Sequence, residues 1–145
     1  MRYRPPLPEL RRIYAETKTI AVVGASPDPA KKANVVPAYL QSHGYRIIPV
    51  NPRHDEIFGE TAYPTLLEVP EPVDVVVVFR PAPEATIVAE KAVAVGAKVL
   101  WLQDGIVSEE AAAIAGAAGM TVVMDTCMGR MHAKLGLGPG PGVVG

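Results

Sequence analysis

The chain has a single cysteine, Cys127, in 145 residues. A disulfide framework is therefore excluded, and a reducing compartment is expected. Charge of either sign is nearly balanced: 14 Lys and Arg face 15 Asp and Glu, for a net charge of −1. No global field recruits nucleic acid or an anionic membrane, so any anionic ligand must be held by a local arrangement. Long hydrophobic runs are missing too. The near-continuous apolar run from Val73 to Phe79 is broken by Asp74 and is too short to span a bilayer. Met1, Arg2, Tyr3, Arg4, Pro5 and Pro6 do not read as the start of a secretory signal. A cytoplasmic protein is the expectation. Asn and Gln occur twice each against 15 prolines, which leans towards a heat-adapted source.

What is present reads as one globular domain over residues 1–145. The composition, 49% hydrophobic and 20% charged, is that of a soluble domain. A chain of this length buries roughly 70% of its unfolded surface. Residues 19–23 and 74–79 are strand-length runs rich in β-branched residues, stopping at Gly24 and at Arg80 and Pro81. Neither alternates polar with apolar, which marks strands covered on both faces, as in a parallel sheet. Residues 45–50, 98–102 and 121–124 read as three further strands, stopping at Asn51, Gln103 and Asp125. Pro49 cannot donate to a ladder and is expected near the end of its strand.

Helical patterns separate the strands. They cover residues 8–16, with Leu10, Ile13 and Tyr14 on one face, and residues 35–43, closed by Gly44. They continue over residues 83–95, closed by Gly96, and 108–119, with Ser108 as N-cap. Residues 51–72 are expected to be mostly loop, with a helical turn near 65–69. The alternation predicts an α/β, Rossmann-like, doubly wound parallel sheet of about five strands with right-handed crossovers. The Gly- and Pro-rich tail, 136–145, is expected to fray.

In such sheets ligands bind beyond the carboxyl ends of the strands. Those ends carry Gly24, Ala25 and Ser26, then Asn51, Pro52, Arg53 and His54, then Phe79, Arg80, Pro81 and Ala82, then Gln103, Asp104 and Gly105. Gly24 permits a tight turn, and backbone amides beside Ser26 can face a phosphate above the next helix. Lys31 and Lys32 follow and can pair with phosphates. Taken alone, the loop is explained equally well as an ordinary βα turn with two solvated lysines. It is not a dinucleotide fingerprint, because Ser26 and Pro29 stand where that pattern needs glycine. The end of the second strand also lacks the acidic residue that bonds the ribose of NAD. Arg53 there is compatible with a ribose phosphate, as in NADP, and suits coenzyme A with its 3′-phosphate.

The ordered series formed by Val22-Val23-Gly24-Ala25-Ser26, Val36 with Tyr39-Leu40, Gly44 through Pro52, Val73 through Pro81, and Trp101 through Gly105 resembles the stand-alone CoA-binding domain family. The resemblance covers about residues 15–130. That family is similar to the N-terminal CoA-binding domain of succinyl-CoA synthetase α subunits and of NDP-forming acyl-CoA synthetases. The resemblance implies that Gly24, Ala25 and Ser26 cradle CoA phosphates and that Arg53 or His54 contacts the nucleotide. It implies that Phe79, Arg80, Pro81 and Ala82 line the pantetheine path, that Gln103 to Gly105 close the far side, and that Lys31 is a basic contact. Neither the phosphohistidine loop nor the nucleotide-binding domains of the synthetases are recognisable around His43, His54 or His132. Binding of CoA or acyl-CoA without catalysis is therefore expected, with no nucleic acid or membrane partner. Two alternatives stay open: an NADP-dependent oxidoreductase or acyl-CoA-handling enzyme, and a regulatory module that senses CoA and signals to a protein partner.

Other residues have plainer readings. Cys127 and His132 lack the further ligands a zinc site needs and the orienting group a catalytic dyad needs, so a buried thiol is expected. Asp28, Asp104 and Asp125 read as turn and cap residues. Trp101, inside a strand, reads as core.

Overall fold

Val75, Val76, Val77 and Val78 are completely buried, and they sit in the middle of a five-stranded sheet. The computed structural model describes residues 4–139. In chain order its elements are α1 (Leu7–Glu16), β1 (Thr19–Val23), α2 (Lys32–Ser42), β2 (Arg46–Val50), β3 (Glu56–Ile57), β4 (Glu60–Thr61) and a 3-10 turn at Leu66–Glu68. Then come β5 (Val75–Val78), α3 (Ala82–Ala94), β6 (Val99–Leu102), α4 (Glu109–Ala117), β7 (Thr121–Val123) and α5 (Met128–Lys134). The main sheet has the order β2-β1-β5-β6-β7, and every pairing in it is parallel. This is the single α/β, Rossmann-like domain that the alternation of runs predicts.

Successive strand residues face opposite sides, and each side has its own core. Ile20, Val22, Val75, Val77 and Trp101 pack under α1, α2 and α5. Ala21, Val76, Val78, Leu100 and Leu102 pack under α3 and α4. The absence of alternation in the sequence follows from this two-sided burial. Pro49 sits one residue from the end of β2, an edge strand. Its carbonyl oxygen faces outward and accepts the Tyr63 amide at 3.0 Å, so the missing N–H falls on the outer side of the strand rather than in the ladder with β1.

Three elements differ from the expectation. Residues 51–72 contain a small antiparallel hairpin, β3 with β4, turned by Phe58 and Gly59 at φ of 62° and 73°. Two successive left-handed residues suit a tight hairpin, but Phe58 hides the signal that Asn or Asp would give. The second helix starts three residues earlier than expected, at Lys32, and carries Pro37 within it. Finally, α5 follows β7. Met128, Met131 and Leu135 are buried at helical spacing, and the Cys127 sulfur caps the helix by accepting the Arg130 amide at 3.4 Å. A weak cysteine cap and Gly129 near the start conceal this short helix in the sequence. Among the described residues no helix is long and apolar enough to cross a membrane. Leu137, in the first part of the tail, packs against the core, and residues 140–145 lie outside the described residues.

Candidate functional site

Between β1 and β5 the direction of winding reverses. The chain leaves β1 through α2 on one face and leaves β5 through α3 on the other. The two following loops diverge and a crevice opens between them. A groove of about 690 Å³ fills it.

Gly24 starts the first wall. Its φ is +91°, and its amide donates to the Val50 carbonyl at 3.1 Å. A Cβ at this position would stand 2.8 Å from Arg80 Cδ, so the loop and the Arg80 stem are packed against each other. The next residues are tied down by short-range bonds. Ser26 Oγ accepts the Asp28 amide at 3.1 Å, and Asp28 Oδ1 accepts the Ala30 amide at 2.9 Å. The Ser26 amide donates to the Ala33 carbonyl at 3.1 Å, and Asn34 Nδ2 donates to the Ser26 carbonyl at 2.8 Å. The amides of Ala25 and Ala33, both on the wall, have no hydrogen-bond partner among the described residues. Ala33 lies in the first turn of α2, where amides are left without intrahelical acceptors and favour an anion.

Asn51 joins the second wall to the first. Its Nδ2 donates to the Ala25 carbonyl at 2.8 Å, while its Oδ1 accepts the Arg53 amide at 2.7 Å. Pro52, Arg53 and His54 continue this wall. Phe79 and Arg80 come from the end of β5, and Arg80 pairs with Glu84 one helical turn on. The remaining side is built by Thr65 and Leu66 at the start of the 3-10 turn and by Ile87, Val88 and Lys91 on α3. Lys31, Arg53 and Lys91 make no ion pair among the described residues.

Ten of the residues picked from the sequence therefore line one groove: Gly24, Ala25, Ser26, Lys31, Asn51, Pro52, Arg53, His54, Phe79 and Arg80. Five do not line it. Lys32 is exposed as the first residue of α2. Pro81 and Ala82 form the N-terminal end of α3. Gln103 is 3% exposed, and its Oε1 accepts the Met128 amide at 2.8 Å, fixing the start of α5. The Gly105 amide donates to Asp125 Oδ1 at 2.7 Å, joining the loops after β6 and β7. The α3 wall was not picked from the sequence. Ile87, Val88 and Lys91 read only as one face of a helix until α3 packs beside β5.

A second polar cluster lies where α2 meets α5. Tyr39 Oη and His132 Nδ1 are 2.8 Å apart, and the His43 and His132 ring centres are 5.0 Å apart. His132 is fully buried, and its Nε2 has no hydrogen-bond partner among the described residues. Burial, with His43 nearby, lowers the His132 pKa. Burial also raises the phenols, that of Tyr45 to about 12 and that of Tyr14 likewise upward. Cys127 is buried in the same core. Trp101 is buried and donates its ring N–H to the Thr126 carbonyl at 2.8 Å. Asp104 pairs with Arg130 at 2.7 Å. Among the described residues no group of three or more His, Cys, Asp or Glu is placed to hold a metal ion.

The chain is similar to known proteins along most of its length. It is 41% identical over 129 residues to the Bacillus subtilis (strain 168) protein YneT, an alignment covering 89% of this chain and 96% of that one. It is 27% identical over 130 residues to acetate–CoA ligase [ADP-forming] I of Archaeoglobus fulgidus, and this alignment spans 83% of the chain but only 19% of the ligase. A solved structure of a hypothetical protein from Pyrococcus horikoshii OT3 superposes with a TM-score of 0.88 at 39% identity, covering 90% of this chain and 92% of that one. The family model described as the CoA binding domain matches residues 18–133, and the chain belongs to that family.

Proposed function

We propose that the groove binds coenzyme A, or an acyl-CoA, and that the chain's own residues make no covalent bond to it. One observation carries this reading. In a chain of net charge −1, the groove gathers three cations, Lys31, Arg53 and Lys91, that have no acidic partner among the described residues, around the Ala25 and Ala33 amides, which have no acceptor among them either. A ligand with several phosphates separated by a ribose and followed by a long, largely apolar arm suits such a lining. The amides of the first loop and Lys31 take the diphosphate, and Arg53 takes the 3′-phosphate. Phe79, Ile87 and Val88 give the arm an apolar surface. Membership of the CoA binding domain family supports the choice among phosphorylated ligands. Only ligand binding is carried over from the ligase, since its alignment spans 19% of that protein.

Titration calorimetry with CoA, acetyl-CoA, dephospho-CoA, NAD and NADP tests the reading. CoA and acetyl-CoA are expected to bind with Kd on the order of micromolar. Dephospho-CoA should bind about tenfold or more weakly, as expected for a lost charge-assisted contact. NAD should give no heat. Equal affinity for CoA and dephospho-CoA, unchanged by Lys31→Gln and Arg53→Gln, would overturn the phosphate assignment. Binding of NADP without CoA would replace the ligand.

A further inference from the structure

Among the described residues, Arg80 is the basic groove residue whose charge is matched by a carboxylate. Its Nε and Nη2 meet Glu84 Oε1 and Oε2 at 3.2 and 2.9 Å, a two-pronged geometry. Phosphate oxygens offer a guanidinium the same geometry as a carboxylate. Both side chains line the groove, and each is 48% exposed. An exposed pair of this spacing is weak, so a ligand can displace it readily. The Arg80 stem, by contrast, is fixed against Gly24, where an added Cβ would come within 2.8 Å of Cδ. The guanidinium thus has a packed base beside the phosphate-facing loop and a loosely held head.

We propose that Arg80 is a masked anion-binding group and that Glu84 is its internal competitor. On this view the ligand's phosphate replaces the Glu84 carboxylate on Arg80. The unliganded groove keeps the cation neutralised, and Glu84 sets how much negative charge a ligand must bring to be accepted. This inference rests on the proposed binding of CoA in the same groove.

The test is a double-mutant cycle read by CoA titration on the full chain, using wild type, Glu84→Gln, Arg80→Gln and the double variant. Glu84→Gln is expected to tighten CoA binding about two- to fivefold, by removing the competitor. Arg80→Gln is expected to weaken it about tenfold or more. In the Arg80→Gln background, the second change should give no further gain. If wild type binds CoA and Glu84→Gln binds no better, Glu84 is not a competitor and the inference fails while CoA binding stands. An equal gain in both backgrounds would mean general repulsion from Glu84, which also overturns the exchange. Absence of CoA binding in all four proteins would overturn the underlying reading and this inference with it.

Discussion

The Ser26 amide donates to the Ala33 carbonyl at 3.1 Å, across the mouth of the first βα loop. In an uninterrupted helix that carbonyl would accept the amide of residue 37. Residue 37 is proline, which has no amide to give. The interior proline of α2 thus leaves one helix carbonyl to the loop that faces the groove. Pro37→Ala restores a competing donor. The Ser26 amide is then expected to exchange with solvent at least about threefold faster in NMR hydrogen-exchange measurements, with the fold kept. Unchanged protection at Ser26 would show that Pro37 has no part in holding the loop.

Gly24 serves the backbone and the packing together. At φ +91°, a residue with a Cβ pays roughly 1–2 kcal/mol. The added carbon also stands 2.8 Å from Arg80 Cδ, so the Arg80 stem must shift. Gly24→Ala is expected to lower stability by about 1–2 kcal/mol in urea unfolding and to weaken CoA binding through Arg80. An unchanged unfolding midpoint would contradict this.

Asn51 is the tie between the loops after β1 and β2, since one amide group bonds Ala25 and Arg53 at once. Asn51→Ala leaves a carbonyl and an amide without these partners, at an expected cost of about 1–2 kcal/mol. Asn51→Asp keeps the acceptor for Arg53 but sets a carboxylate against the Ala25 carbonyl. It should lose comparable stability and more CoA affinity, because the new charge repels phosphate. Urea unfolding and CoA titration of both variants check this, and Asp binding as well as Asn would refute it.

The strands were legible because two-sided burial writes itself as unbroken apolar runs. Val75 to Val78 could hardly be anything but a central strand. The loop walls of the groove were legible because Gly24, Asn51 and Phe79 each follow a strand directly. The α3 wall was not, because Lys91 reaches the groove only through the packing of a whole helix. Gln103 misled for a related reason. It ends a strand at the right edge of the sheet, but its side chain is spent on the α5 amide, and α5 itself was hidden in the sequence. Chain order shows which edge a residue occupies, while the crossovers decide whether it meets the crevice.

His132 makes stability depend on pH. Burial, and then His43, hold its folded-state pKa below the ordinary 6.5. Above 6.5 both folded and unfolded chains keep it neutral, and stability is full. As pH falls through 6.5 the unfolded chain takes up the proton first, so stability declines until the folded-state imidazole titrates too. Glu71 adds a later loss. The hydrogen bond from Arg46 lowers its pKa from 4.5, so its contribution is present above 4.5 and disappears as pH drops further. Urea midpoints at pH 7.5 and 5.5 should differ in the wild type and differ less in His132→Leu. An equal drop in both would remove His132 from the explanation.

The most direct measurement is an amide chemical-shift map of the protein titrated with CoA. The expected result is the largest shifts at Gly24, Ala25, Ser26, Arg53 and Arg80, with smaller ones at Ile87 and Lys91 and little at Gly105. Shifts concentrated at Gln103 and Gly105, with the Gly24 loop unmoved, would contradict the assignment of the groove as the CoA site.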